Sequence, residues 1–171
     1  MGFALEGPGD IVSLQMADGP CRVISITGDG GALPLSTDSN TAGFAACEVF
    51  RRAGTSRGFN LTLEKGLPLG SGMGSSAASA AAALVAANSA LGNPLPEDEL
   101  ISIGAQVEAL ACGTPHMDNI APALLGGVCL ILGTHLAPRI EKVPLQQRLY
   151  YAVLSPSLTL KTLDARNALP L

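Results

Sequence analysis

Apolar and polar positions along the chain switch between two periods. Phe59–Leu63 alternates residue by residue, and Ile11–Met16 and Cys21–Thr27 are short runs rich in β-branched residues. All three read as strands, Ile11–Met16 and Cys21–Thr27 joined by a turn at Ala17-Asp18-Gly19-Pro20. Helical spacing takes over at Ala42–Ala53, where Phe44, Cys47 and Phe50 share a face. The capping residues Thr37-Asp38-Ser39-Asn40 precede that run and Gly54 ends it. A second helix is predicted after Pro96, opened by Glu97-Asp98-Glu99 and striped by Leu100, Ile103, Val107 and Leu110. Between these lies Ala77–Leu91, largely alanine, which is helical on propensity alone and is stopped by Gly92-Asn93-Pro94. Gly113-Thr114-Pro115 breaks the next helix, and His116–Asn119 reads as a polar turn. Val128–Leu132 and Tyr150–Leu154 are predicted as strands and Thr162–Ala168 as a short helix. Strands, helix, strand and then two more helices predict a two-layer α+β domain.

Composition narrows the field. A length of 171 residues suits one ordinary domain, and 47% apolar residues supply a core. Only 14% of residues are charged, against about 25% in a typical soluble domain, which points to small-residue packing. A net charge of −4 argues against nucleic acid as a partner. The longest apolar stretch, Ala77–Ala87, is far short of the roughly 20 residues that cross a membrane. The opening Met1-Gly2-Phe3-Ala4-Leu5 has no basic segment of a secretory signal. Cys21, Cys47, Cys112 and Cys129 show no C-x-x-C spacing, so free thiols and a cytoplasmic location are expected. The chain opens almost inside a structured segment and stops just after starting new elements, as a piece of a longer protein would.

The chemistry concentrates in Lys65–Ser76, a loop with four glycines between a predicted strand and a predicted helix. Glycines let the backbone turn through positive φ and come close to a ligand. The N–H groups of such a loop converge on one concavity, and the helix adds its positive end. Ser75 and Ser76 add hydroxyls for a phosphate or a metal. The loop therefore predicts an anion cradle, with a nucleotide polyphosphate as its occupant. A P-loop would need a lysine after the glycines, and a dinucleotide fingerprint would need a third glycine where Ser75 stands. A hydrolase elbow would make Ser76 a nucleophile with His116 or His135 as base, but Ala78 replaces its last glycine.

From Pro68 through Leu69, Gly70, Ser71, Gly72, Met73, Gly74, Ser75, Ser76 and Ala77 to Ala78, the loop matches P-x-x-x-G-L-G-S-S-A-A, with Met73 in place of leucine. On these residues the chain resembles the GHMP kinases, the superfamily of galactokinase, homoserine kinase, mevalonate kinase and phosphomevalonate kinase. Glu108 followed by Pro115-His116-Met117-Asp118-Asn119-Ile120-Ala121-Pro122 and Gly126-Gly127 is similar to a segment of its homoserine-specific branch. So is Ser155-Pro156 through Thr162, Ala165-Arg166 and Leu169-Pro170.

The resemblance implies a ribosomal protein S5 domain 2-like ATP-binding domain over residues 1–147, lacking its first strand. Residues 148–171 would begin a ferredoxin-like domain. It implies transfer of phosphate from ATP to the side-chain hydroxyl of L-homoserine, a step of threonine biosynthesis. The loop Pro68–Ala78 would hold the phosphates, and Ser76 and Glu108 would hold Mg²⁺. His116 and Asn119 would contact homoserine, Arg166 would grip its carboxylate, and Asn40 would touch the adenine. Mevalonate-type relatives place a catalytic aspartate eleven residues after the metal-binding glutamate; here that position is Asn119, which implies transfer without a general base. The competing expectations are a mevalonate- or shikimate-type kinase and a catalytically silent nucleotide- or sugar-binding relative. Retention of Ser76 and Glu108 speaks against the silent relative. A homodimer is expected by analogy alone. With the family's N-x-G-x-G-F-D segment missing, the isolated chain is expected to be inactive and poorly soluble.

Overall fold

The computed structural model describes residues 1–113, 115–134 and 137–153. In chain order its elements are β1 (Gly2–Phe3), β2 (Ile11–Ala17), β3 (Arg22–Thr27), α1 (Thr41–Arg52), β4 (Gly58–Glu64), α2 (Ser75–Ala90), α3 (Glu97–Cys112), α4 (Ile120–Leu125), β5 (Val128–Thr134) and β6 (Ala137–Val143).

The alternation at Phe59–Leu63 becomes the middle strand of a sheet ordered β2-β4-β3. The turn after β2 does not fold β3 back onto it. Instead β4 lies between them, antiparallel to β2 with Leu14 opposite Leu61, and parallel to β3. A central strand is buried along one face, and Phe59, Leu61 and Leu63 are all at most 1% exposed. Against that face α1 packs Ala42, Ala45, Ala46, Val49 and Phe50, with the Phe50 ring edge-on to Phe59 at 5.0 Å between centroids. Phe44 and Cys47, predicted on the buried stripe, lie at its margin and are only half-buried.

Helix α2 runs through the middle of the helical layer, touching β2, α1, α3 and α4. Its alanines face every direction, which lets it pack against several neighbours at once, while a face with Ala82, Val85 and Ala86 borders an open cavity. Ala80, Ala83, Leu84 and Ala87 are fully buried. The stripe of α3 is buried at Leu100, Ile103 and Val107 but runs out at Leu110, which is 50% exposed. At Gly104 the helix backbone comes so close to α4 that a Cβ there would stand 2.3 Å from Ile120 Cγ1.

A second sheet, ordered β1-β5-β6, is antiparallel throughout, with Gly2 opposite Cys129 and Ile131 opposite Ile140. The sequence pattern anticipates neither α4 nor β6. In α4, Pro122 occupies the first turn, where its missing N–H costs no helical bond. Strand β6 carries Pro138 and the charges Arg139, Glu141 and Lys142, which suits the edge it occupies. The strand expected at Tyr150–Leu154 is not formed over Tyr150–Val153, where Tyr151 instead stacks on Phe3 at 4.5 Å. Leu154 and the helix expected at Thr162–Ala168 lie outside the described residues. Cys21, Cys47 and Cys129 are free thiols. Among the described residues no helix is long and apolar enough to cross a membrane.

Candidate phosphate-binding site

Strand β4 feeds directly into the glycine loop, and the loop feeds α2. Gly70, Gly72 and Gly74 have φ of 65°, 74° and 70°, while Ser71 and Met73 between them keep negative φ. Such alternation of hand turns successive N–H groups toward one hollow. Gly74 is the N-cap of α2 and offers no side chain to its first turn, so the helix presents unsatisfied donors on the same side. Ser71, Gly72, Met73 and Gly74 border a cavity of about 1080 Å³, closed on other sides by Ala78, Asp118 and Asn119. That is room for a nucleotide-sized ligand.

The two adjacent serines part company. Ser75 is buried, and its hydroxyl donates to Leu67 O at 3.2 Å, closing the loop across its base. Ser76 Oγ donates to Glu108 Oε1 at 3.2 Å. Glu108 is 2% exposed, so α3 presents it to the start of α2 and not to solvent. This donor set is a hydroxyl and a carboxylate, hard oxygens suited to Mg²⁺, which keeps several waters and shares substrate phosphates. No cluster of three or more His, Cys, Asp or Glu occurs among the described residues that would form an all-protein metal cage. Because Ser76 gives its proton to a carboxylate, the site lacks the serine-to-imidazole bond of a hydrolase elbow. His135, one candidate base for that reading, is outside the described residues.

Asn119 leans on the loop: a Cβ at Gly74 would stand 3.1 Å from Asn119 Oδ1. Its turn is fixed from behind by β1, where a Cβ at Gly2 would collide with Asp118 O. His116 is half-buried in the same turn but does not border the cavity, and neither do half-buried Ser76 and buried Glu108. Asn40 is 2% exposed and caps α1: its Oδ1 accepts from Gly43 N at 3.0 Å and its Nδ2 donates to Pro34 O at 2.9 Å. Its amide serves that cap, where a base contact would need it at a surface. Pro68 and Gly70 are exposed on the outer side of the loop, whereas Ala77 is buried beneath it. Arg166 lies outside the described residues.

Under the loop lies a cluster that the sequence analysis does not single out. Lys65 and Asp10 form an ion pair with side chains 1% and 0% exposed. Lys65 Nζ also donates to Ser75 O and to Ser79 Oγ, both at 2.9 Å. Asp10 accepts from Ser79 Oγ at 2.6 Å and from the amides of Gly66 and Leu67 at 3.0 and 3.1 Å. Burial pushes the Asp10 carboxyl up, but the bonds from Lys65, Ser79 and Leu67 and the Lys65 charge outweigh it, holding the group below the ordinary 3.8. The sequence did hold a signal: Lys65 is the sole cation between Gly58 and Ala90 and would need a partner if buried.

A glycine loop at the mouth of a helix, with a hydroxyl–carboxylate pair beneath it, is the equipment of a phosphate-transferring domain, and the chain belongs to the GHMP kinases. The family description "GHMP kinases N terminal domain" matches residues 40–127, from the cap of α1 to the end of α4. Within that family the chain is similar to homoserine kinases. It is 42% identical to the homoserine kinase of Chlorobium phaeobacteroides (strain DSM 266), over 99% of this chain and 56% of that protein. It is 39% identical to that of Xanthomonas campestris pv. campestris, over 99% of this chain and 52% of the relative. The crystal structure of homoserine kinase from Cytophaga hutchinsonii superposes with a TM-score of 0.86 at 37% identity, covering 98% of this chain and 53% of that one. L. major mevalonate kinase, at 18% identity and a TM-score of 0.61 over 81% of this chain and 44% of its own, shares the fold. The chain spans about half the length of the curated relatives it matches.

Proposed function

We propose that this chain supplies the nucleotide-binding half of an ATP-dependent homoserine kinase. The reading is carried by the Ser76–Glu108 hydrogen bond of 3.2 Å at the start of α2, next to a left-handed glycine loop whose Gly72 and Gly74 border an open cavity. The loop amides receive the phosphate oxygens, and Ser76 and Glu108 would hold a Mg²⁺ that neutralises phosphate charge. Asn119, against Gly74, and His116 of the same turn would contact the homoserine, and Arg166 would grip the substrate carboxylate as a bidentate fork. The alcohol oxygen attacks the γ-phosphorus, the bond from γ-phosphorus to the bridging oxygen breaks, and ADP leaves. Such a transition state asks mainly for alignment and charge neutralisation. Asn119 cannot take a proton, so the hydroxyl proton passes to phosphate oxygen or solvent as the new bond forms.

The test is ADP release by the full-length parental enzyme with Mg²⁺ and ATP in the presence of L-homoserine, mevalonate or shikimate. Homoserine should be preferred by at least about 100-fold in kcat/KM, because mevalonate and shikimate share its carboxylate but lack its α-ammonium group, and an acceptor that leaves a site's polar groups unpaired is rejected. Equal or greater turnover of mevalonate or shikimate would overturn the assignment.

A further inference from the structure

We infer that Asp10 and Lys65 are positioning residues for the nucleotide phosphates, their buried pair clamping both feet of the glycine loop. The inference rests on the reading of that loop as a phosphate site. The loop leaves β4 at Lys65 and enters α2 at Ser75. One foot is held by the amides of Gly66 and Leu67, which both donate to Asp10 Oδ1. The other is held by Lys65 Nζ, which donates to Ser75 O and to Ser79 Oγ one turn along α2. Lys65 and Ser79 both donate to Asp10 Oδ2, so a single carboxylate ties together strand end, loop entry and helix start.

Fold stability alone does not call for such a device. A buried ion pair gains little over well-packed apolar side chains of the same volume, because both charges must leave water. Directed bonds to two separate backbone segments, however, are something apolar packing cannot supply. Between these feet Gly70, Gly72 and Gly74 alternate hand with their neighbours, so a small shift of either foot would re-aim every amide in the hollow. Misplacement of about 1 Å can cost a hundredfold in such sites.

The experiment compares this chain with the variant Asp10→Leu/Lys65→Met, which replaces the pair by apolar groups of similar size. Dissociation constants for ATP with Mg²⁺ and for adenosine are measured by calorimetry, beside the ligand-free unfolding midpoint. The expected result is a midpoint close to the parent's, a rise of between about tenfold and a hundredfold in the ATP constant, and an unchanged adenosine constant. An unchanged ATP constant overturns the inference. So does equal weakening of ATP and adenosine, which would show a purely structural role. A parent chain that binds ATP no better than adenosine would instead refute the phosphate reading beneath it. Should the double variant fail to fold, Ser79→Ala makes the same comparison in a helix already dominated by alanine. There a rise of about threefold for ATP alone supports the clamp, and no rise overturns it.

Discussion

Replacing Gly104 with alanine sets two effects of opposite sign against each other. In a helix interior alanine is favoured over glycine by about 1 kcal/mol, so at an open position the change would stabilise. Gly104 lies in the middle of α3, and its added methyl would stand 2.3 Å from Ile120 Cγ1 and 3.0 Å from Cδ1. An ordinary contact begins near 3.4 Å, a shortfall of about 1.1 Å. Cγ1 sits next to the Ile120 backbone and Ile120 is fully buried, so the strain cannot be relieved by swinging a side-chain tip. Overpacking costs about 1–3 kcal/mol, and a clash that no side-chain tip can relieve falls in the upper part of that range, about 2–3 kcal/mol, so subtracting the propensity gain leaves a net loss of about 1–2 kcal/mol. In a chain of this size that lowers the midpoint of thermal unfolding by roughly 2–8 °C. Because Ile120 follows Asn119, the displacement should also move Asn119 off Gly74 and weaken ATP binding. Differential scanning calorimetry and calorimetric ATP titration measure both. Adding Ile120→Ala should recover part of the loss, giving less than the sum of the two single changes. A Gly104→Ala chain more stable than its parent would refute the close approach of α3 to α4.

Three further outcomes follow from the site. Glu108→Gln keeps an acceptor for Ser76 but removes the carboxylate charge, so ATP affinity should fall about tenfold with Mg²⁺ and not without it. An equal fall without the metal would rule out a metal-holding role. Asp118→Asn should leave turnover within a few-fold of the parent; loss of turnover with folding and substrate binding intact would establish Asp118 as a base. The Asp10 carboxyl has its folded pKa held below 3.8, so its stabilising contribution is complete above about pH 3.8 and is lost as pH falls further through the folded value. Urea unfolding from pH 7 down to pH 3 should therefore show a loss of stability below pH 4 that Asp10→Leu/Lys65→Met lacks.

What the sequence disclosed depended on whether the deciding force was local. The glycine loop and α2 were readable because alanine propensity and glycine φ freedom act within a few residues. Central strand β4 declared itself by alternation. Its position between β2 and β3 was not legible, since strand order depends on pairing between distant segments. Helix α4 hid behind Pro122, and β6 behind Pro138 and its charges, because residues that suit a first turn or a sheet edge also suit a loop. Within the site, the glycine loop was legible from its residues and the Glu108–Asn119 segment only through its resemblance to the GHMP kinases; Ser76 and Glu108 lie within one hydrogen bond of each other. The Asp10–Lys65 clamp joins residues 55 positions apart and has no spacing signal at all. Asn40 shows the opposite failure, a residue type compatible with a ligand contact that the fold uses as a helix cap.

The alanine surface of α2 has a mechanical consequence. Methyl groups have no rotatable side-chain bonds, so a helix that meets its neighbours through them has no soft layer to absorb a push. Displacement of α1 or α3 is then passed along α2 as motion of a stiff rod, and the loop-side end of that rod carries the serine pair at the mouth of the loop. Packing far from the nucleotide is thereby geared to the alignment of its phosphates.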